Sequence, residues 1–464
     1  MSFTSTILMV SFLPIVVLAY YTTKKDTLRK IILLVSSIVF YAWGEPLLIF
    51  VVVFLFMLNY CTTMLCVRLG NKYSSILLCF VVCIDVVVLL VFKYTNFILS
   101  NIGTVFDIPI SQINIRLPLG ISFIVFQLIS FCVDCYRENC VYSLLDSAVF
   151  ISFFPKITMG PLAKIGDFKL PSSERCDYYK VRNGIQRISI GLIKKVLIAN
   201  KISGLANWAF SANNIDSLTM VGAIVGAIAY TIQIYFDFSG YTDMALGIAN
   251  LFGIDLPENF NYPYISHSVT EFWRRWHITL GMWFRQYVYI PLGGNRVKTK
   301  LRHLLNLFIA WILTGLWHGA SWTFIIWGLY YFILISFEKL TNLESKSKWA
   351  GYIYTIIFTV IGWTVFRSDS ISHLSIYFTK MIGLNCCILD SLTLQMINTY
   401  KIYIIMGIVF SFPILETVRK WFNIFKINRT LKVIIVDTLT IILIIIGISY
   451  AANSSYTPFI YNNF

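Results

Sequence analysis

Charge is scarce in this chain. Only 13% of its 464 residues are Asp, Glu, Lys or Arg, against 58% hydrophobic, and mean hydropathy is +0.74. No polar stretch between the apolar runs is long enough to bury a core of its own, which excludes a separate soluble domain. The apolar runs approach the ~20 residues needed to cross a bilayer, so the chain reads as an all-α polytopic membrane protein, one integral domain over 1–464. Acid is scarcer still: 22 acidic residues against 37 Lys and Arg leave a net charge of +15. That excess sits in short loops between apolar runs, the pattern of cytoplasmic loops in contact with anionic membrane lipid. No nucleic-acid partner is expected.

Other signals are missing too. The ten cysteines include one CxxC, Cys132 and Cys135, without the second pair or the histidine that a metal site needs; they read as small apolar fillers, and no metal is expected. The N-terminus has no basic leader. Lys24, Lys25, Arg29 and Lys30 follow the first apolar run, which fits a retained span and not a cleaved signal peptide.

The basic loops set an orientation. The loop at Lys24–Lys30 faces the cytoplasm and puts Met1 outside, and the turn Gly44–Glu45–Pro46 lies outside. A span from Ser74 to Phe92 carries Asp85, for which Lys93 is a possible partner. Further spans are expected near Pro118–Val133, Ala148–Gly160, Ile185–Ala199 and Met220–Phe252. The basic stretch Asn259–Arg302 faces the cytoplasm, and Leu304–Ser336 is a glycine-interrupted block that could hold a re-entrant segment. Spans near Gly351–Phe366, Ile402–Leu415 and Val433–Ala451 complete the set. One span follows the last basic loop (Arg419 to Lys432), so the tail 453–464 is expected on the extracytoplasmic side.

Two motifs stand out. In TGLWHGASW, Thr314 to Trp322, His318 lies where water is scarce. Either its ring is satisfied by neighbours such as Thr314, or it is a neutral proton acceptor, since desolvation disfavours the imidazolium. Gly315 and Gly319 beside it allow close approach of another helix or of a ligand chain. In SVTEFWRRWHITLGMWFRQYVYI, Ser268 and Glu271 have capping-box spacing, predicting a helix from near Val269. Trp273, Trp276, Leu280, Trp283 and Tyr287 form an aromatic stripe flanked by Arg274, Arg275 and Arg285, as in an interfacial helix; His277 belongs to it, as an anchor or as a site residue. The glycine turn of IPLGGNR, next to Arg296, has the form of an anion nest. Asp237 and Asp243 either meet a substrate hydroxyl or pair with loop arginines. His267, His303 and His373 read as structural.

FWRRWHITLGMWFRQYVYIPLGGNR (Phe272 to Arg296) together with TGLWHGASWTFIIWG (Thr314 to Gly328) resembles the membrane-bound O-acyltransferase superfamily. More narrowly, it resembles the bacterial polysaccharide O-acetyltransferases of the alginate-acetylation type. PLGISFIVFQLISFCVDCYR, FFPKITMGPL and QIYFDFSGYTDMALGIA extend the resemblance over nearly the whole chain; Gln286 departs from it, standing where the family usually has aspartate. The resemblance implies a ring of about eleven tilted transmembrane helices around a central funnel, with re-entrant or interfacial helices. It implies His318 as catalytic histidine and His277 as the second active-site polar residue. Acetyl-CoA is the implied acyl donor from the cytoplasm, its phosphates favoured by Arg274, Arg275 and Arg296. Relatives end in a pattern similar to FIYNNF, which implies a transient acyl relay at Tyr461; the other reading of Phe459, Tyr461 and Phe464 is an interfacial anchor. The expected function is passage of acetyl groups across the bacterial plasma membrane, for an extracytoplasmic acetyltransferase subunit acting on an exported polysaccharide or cell-wall glycan. The alternatives are a D-alanyl transferase for teichoic acid fed by a carrier protein, and a transporter or scaffold without chemistry.

Overall fold

The computed structural model describes residues 3–70, 72–169, 177–341, 348–414, 417, 428–453 and 459. These form helices and turns, with one isolated β-bridge between Phe260 and Trp276. The helices are α1 (Leu13–Thr22), α2 (Asp26–Ala42), α3 (Ile49–Leu69), α4 (Lys72–Phe106), α5 (Ile121–Glu138), α6 (Leu144–Ser152), α7 (Tyr178–Ile193), α8 (Asn200–Phe210) and α9 (Met220–Leu251). They continue as α10 (Val269–Arg275), α11 (Ile278–Phe284), α12 (Lys300–His318), α13 (Trp322–Thr341), α14 (Lys348–Arg367), α15 (Ile371–Met381), α16 (Ser391–Phe410) and α17 (Arg429–Asn453). Among the described residues seven are long and apolar enough to cross a membrane: α3, α4, α9, α13, α14, α16 and α17.

That is fewer than the apolar runs of the sequence: α2, α5 and α7 stay helical without being both long and apolar enough, and two further runs break. The run Ala148–Gly160 leaves the helix at Ser152 and continues as a turn through Phe153–Gly160, where Pro155 cannot donate to a helical ladder. The block Leu304–Ser336 is two helices, broken after His318 by an extended Gly319.

The chain divides into two compact units. The first comprises Met1–Ile188 and Thr242–Pro257. Its helices α3, α4 and α5 share a buried polar clasp: Asn59 Nδ2 donates to Asp85 Oδ1 at 2.9 Å, and Cys132 Sγ donates to Asn59 Oδ1 at 2.9 Å. Asp85 is thus held by Asn59. The turn after α6 packs on α5 through Gly120, whose φ is +69° and where a Cβ would lie 2.4 Å from Ile157 O. Lys156 of this turn is fully buried, donates to Gln127 Oε1 and sits 3.6 Å from the Phe150 ring centroid. Burial holds its amine well below the usual lysine range.

The second unit comprises Ser189–Tyr241 and Glu258–Ile460. Here α12 and α13 form a tight hairpin, because Gly315 faces Gly328: a Cβ on Gly315 would stand 2.4 Å from Phe324 O, and one on Gly328 would stand 2.6 Å from Trp311 O. The close approach expected of Gly315 is therefore realised within the hairpin itself. Lys195 and Asp237 form a buried ion pair at 2.5 Å, their side chains 2% and 3% exposed.

Candidate active site

The site is built on a short cross-strand contact. Segment 259–261 runs antiparallel to 275–278: Asn261 N–H donates to Arg275 O at 3.0 Å, Ile278 N–H donates to Asn259 O at 3.0 Å, and Phe260 bridges Trp276. Ahead of it α10 begins as its capping spacing predicts, with Ser268 Oγ accepting from Glu271 N–H at 3.0 Å and Glu271 Oε2 accepting from His267 N–H at 2.8 Å. Burial would raise the Glu271 carboxyl, but the His267 N–H and the Arg275 guanidinium outweigh it and hold it below its ordinary value. A buried carboxylate on α13, Glu338, accepts from Val269 N–H (2.6 Å), Thr270 N–H (2.8 Å) and Thr270 Oγ1 (2.6 Å), tying down the helix start.

One expectation is corrected here. The aromatic stripe does not mark a continuous helix: α10 ends at Arg275, and His277 has φ +45° and ψ +52°, the left-handed conformation, as N-cap of α11. The cross-strand bonds on either side hold this bend, which costs an L-residue on the order of 1 kcal/mol or more. The bend buries His277 between Phe238 of α9 (centroids 4.7 Å apart) and Trp317 of α12 (6.1 Å). Its Nδ1 lies 3.1 Å from Asn259 Oδ1. Burial pushes the imidazole down to about 3, so the ring is neutral at physiological pH.

His318 is the last residue of α12 and is 3% exposed. Its ring meets Trp317 (4.8 Å), Trp327 (4.9 Å) and Phe366 (5.1 Å), all near edge-on. Gly319 makes room for this arrangement, since a Cβ there would strike the Phe324 ring at 2.2 Å. The two histidines, 41 positions apart by number (318 − 277), thus contact the same indole, Trp317. Beyond Trp327 the wall continues through Trp273, Tyr331 and Trp363. Two imidazoles in an aromatic, water-poor setting suit proton transfer with a hydroxyl or thiol.

The other candidates divide. Arg275 is committed to Glu271 at 2.8 Å, whereas Arg274 and Arg296 are exposed. Gly293 and Gly294 of the IPLGGNR turn both have positive φ, +107° and +57°, and Asn306 Nδ2 donates to Gly294 O. Gln286 is half-buried in the π-helical stretch Arg285–Tyr289. Asp243 pairs with Arg187 of α7 at 3.0 Å and Asp237 with Lys195, so both partners are helical cations in place of the expected loop arginines. His303 bonds Tyr289 and His373 bonds the Phe210 carbonyl, consistent with structural roles. Tyr461 lies outside the described residues. Phe459, two positions earlier, is buried, with its centroid 5.1 Å from that of Tyr241 and 4.4 Å from Lys195 Nζ. Sequence reasoning missed Asn259 and the shared role of Trp317. Trp317 was within the quoted motif, while Asn259 sits in a loop, ENFNYPY, whose only signal is a run of turn-forming residues.

Residues 38–368 match the membrane-bound O-acyltransferase family. The chain is 39% identical over 388 residues to a probable alginate O-acetylase of Pseudomonas aeruginosa, covering 80% of this chain and 73% of the relative. It is 33% identical over 428 residues to a peptidoglycan O-acetyltransferase of Helicobacter pylori, covering 82% and 80%. A teichoic acid D-alanyltransferase of Bacillus subtilis matches at 29% over 281 residues, 55% of this chain and 70% of the relative. With its apolar helices, its paired buried histidines and these relatives, the chain belongs to the membrane-bound O-acyltransferase family and is a multi-pass membrane enzyme that transfers acyl groups to hydroxyls.

Proposed function

We propose that this enzyme passes acetyl groups from cytoplasmic acetyl-CoA across the bacterial plasma membrane for O-acetylation of an exported polysaccharide or cell-wall glycan. The observation that carries the reading is the meeting of His277 and His318 on Trp317. The names of the longer matches, an alginate O-acetylase and a peptidoglycan O-acetyltransferase, support the glycan and the acetyl group over D-alanine.

In this mechanism the exposed Arg274 and Arg296 attract the phosphates of the donor, and Arg275 contributes through the field of the same segment. His318 takes the proton of the attacking hydroxyl as that oxygen bonds to the thioester carbonyl carbon; the C–S bond then breaks and the proton passes to the departing thiolate. The first acceptor is the Tyr461 phenol. Its acetyl ester is then attacked by a hydroxyl on the outer side, within a separate extracytoplasmic transferase subunit, which restores the tyrosine. Burial of Phe459 against Tyr241 supports this path. Tyr241 lies three residues beyond Phe238 on α9, so the ring that holds the tail and the ring that contacts His277 are one helical turn apart on a similar face.

The test is labelled acetyl-CoA added to inside-out vesicles containing the wild type, His318→Ala or Tyr461→Phe. An alkali-labile label on the wild type, absent from both variants, is the expected result. Label retained on Tyr461→Phe would remove the relay, and label retained on His318→Ala would defeat the mechanism.

A further inference from the structure

We infer that Asn259 is a positioning residue that holds the His277 imidazole in its Nδ1–H tautomer, so that the ring presents Nε2 to the reaction as a hydrogen-bond acceptor. The role in the reaction rests on the acyl-transfer reading above; the tautomer rests on geometry alone.

The geometry starts from a peptide group. Thr279 N–H can only donate, and it lies 3.2 Å from the Asn259 side-chain atom Oδ1. That atom must therefore be the carbonyl oxygen, because the amide nitrogen would set donor against donor. The same oxygen is 3.0 Å from Thr279 Oγ1 and 3.1 Å from His277 Nδ1. A carbonyl oxygen accepts and never donates, so the proton between it and Nδ1 belongs to the imidazole. A neutral imidazole carries one ring proton, which leaves Nε2 with a lone pair.

The ring cannot easily turn away from this bond. His277 is in the left-handed conformation, clamped by Ile278 N–H on Asn259 O and by Asn261 N–H on Arg275 O. The same residue, Asn259, thus grips the bend with its backbone and the ring with its side chain. Of the charged and titratable groups on the adjoining segments, Arg275 pairs with Glu271, Asp237 of α9 pairs with Lys195, Glu258 beside Asn259 is exposed, and His318 of α12 shares the Trp317 indole with His277. Arg274 is exposed. A neutral Nδ1–H ring has no Nε2 proton to offer a developing oxyanion. With the proton of the attacking hydroxyl taken by His318, His277 Nε2 accepts a hydrogen bond from the donor's amide groups, and the oxyanion donor is another group.

Two measurements on the full-length protein in membranes test this. The first is 15N NMR of histidine-labelled protein at neutral pH, with the His277 pair identified as the resonances lost in His277→Asn. A protonated Nδ1 with an unprotonated Nε2 is expected; a protonated Nε2 would overturn the inference whatever the activity. The second is the pH profile of acetyl transfer in Asn259→Asp. A carboxylate beside Nδ1–H raises the imidazole's pKa by about 1–3 units. An acceptor role then predicts that transfer by this variant is lost on acidification, at higher pH than in the wild type. A gain of transfer on acidification would mean that Nε2–H donates, and would overturn the inference. The expected tautomer in protein whose wild type carries no label would leave the positioning intact and sink the acyl-transfer reading instead.

Discussion

A single left-handed residue does much to organise this site. His277 reaches Trp317 because the chain turns at it, and the turn is legible only in the fold: Trp273, Trp276, Leu280 and Trp283 keep helical spacing across the break, so periodicity carries no trace of it. The bend also makes pH a useful probe. Burial pushes His277 down to about 3, so it stays neutral above that value and adds no acid limb to wild-type transfer between pH 5 and pH 8; a limb there that disappears in His277→Asn would contradict its burial. Glu271 behaves oppositely. Its folded-state value lies below its ordinary 4.5, so its contribution to stability is present above that pH and fades as pH falls through the lowered value. Buried charge elsewhere predicts a larger effect. Asp237→Asn leaves the Lys195 ammonium buried without its counter-charge and is expected to cost about 3–5 kcal/mol, while Lys195→Met with Asp237→Leu restores most of it. Melting of the three proteins in detergent checks this; equal melting points would mean the pair is dispensable.

At the scale of elements, the signals that the sequence carried well were local ones. The Ser268–Glu271 cap predicts the start of α10, and the glycines of TGLWHGASW predict close packing, which Gly315 and Gly328 supply. What stayed hidden was long-range. Glu338 lies 69 positions from Val269 in the chain, and nothing local says that its carboxylate caps α10. Removing it in Glu338→Ala orphans two peptide N–H groups and is expected to cost on the order of 3 kcal/mol, read as a lowered melting point in detergent. In the α12–α13 hairpin, Gly315→Val should lower both melting point and transfer, because a Cβ there needs space now filled by Phe324 O. A variant of normal melting and normal activity would show that the hairpin opens at no cost.

For the whole molecule, composition alone told of a multi-pass helical protein, and the motifs in order told of its family. The number of spans was less legible, because an apolar run that bends at Pro155 looks in a hydropathy trace like one that crosses. Burial sorts the helices further: the most apolar window of α9 is 78% buried, against 11% for those of α4, α16 and α17. A lipid-soluble photolabel should therefore mark α4, α16 and α17 heavily and α9 weakly; strong labelling of α9 would contradict the packing.

Phe459 covers the Lys195 ammonium, so seating of this part of the tail and integrity of the Lys195–Asp237 pair are linked equilibria. Linkage is reciprocal. Whatever free energy the ring lends to the ion pair, the ion pair lends to the seated ring, so Asp237→Asn should hurt less in a Phe459→Ala background than in the wild type. A partner that drew the tail outward would have to hydrate a buried cation as it did so.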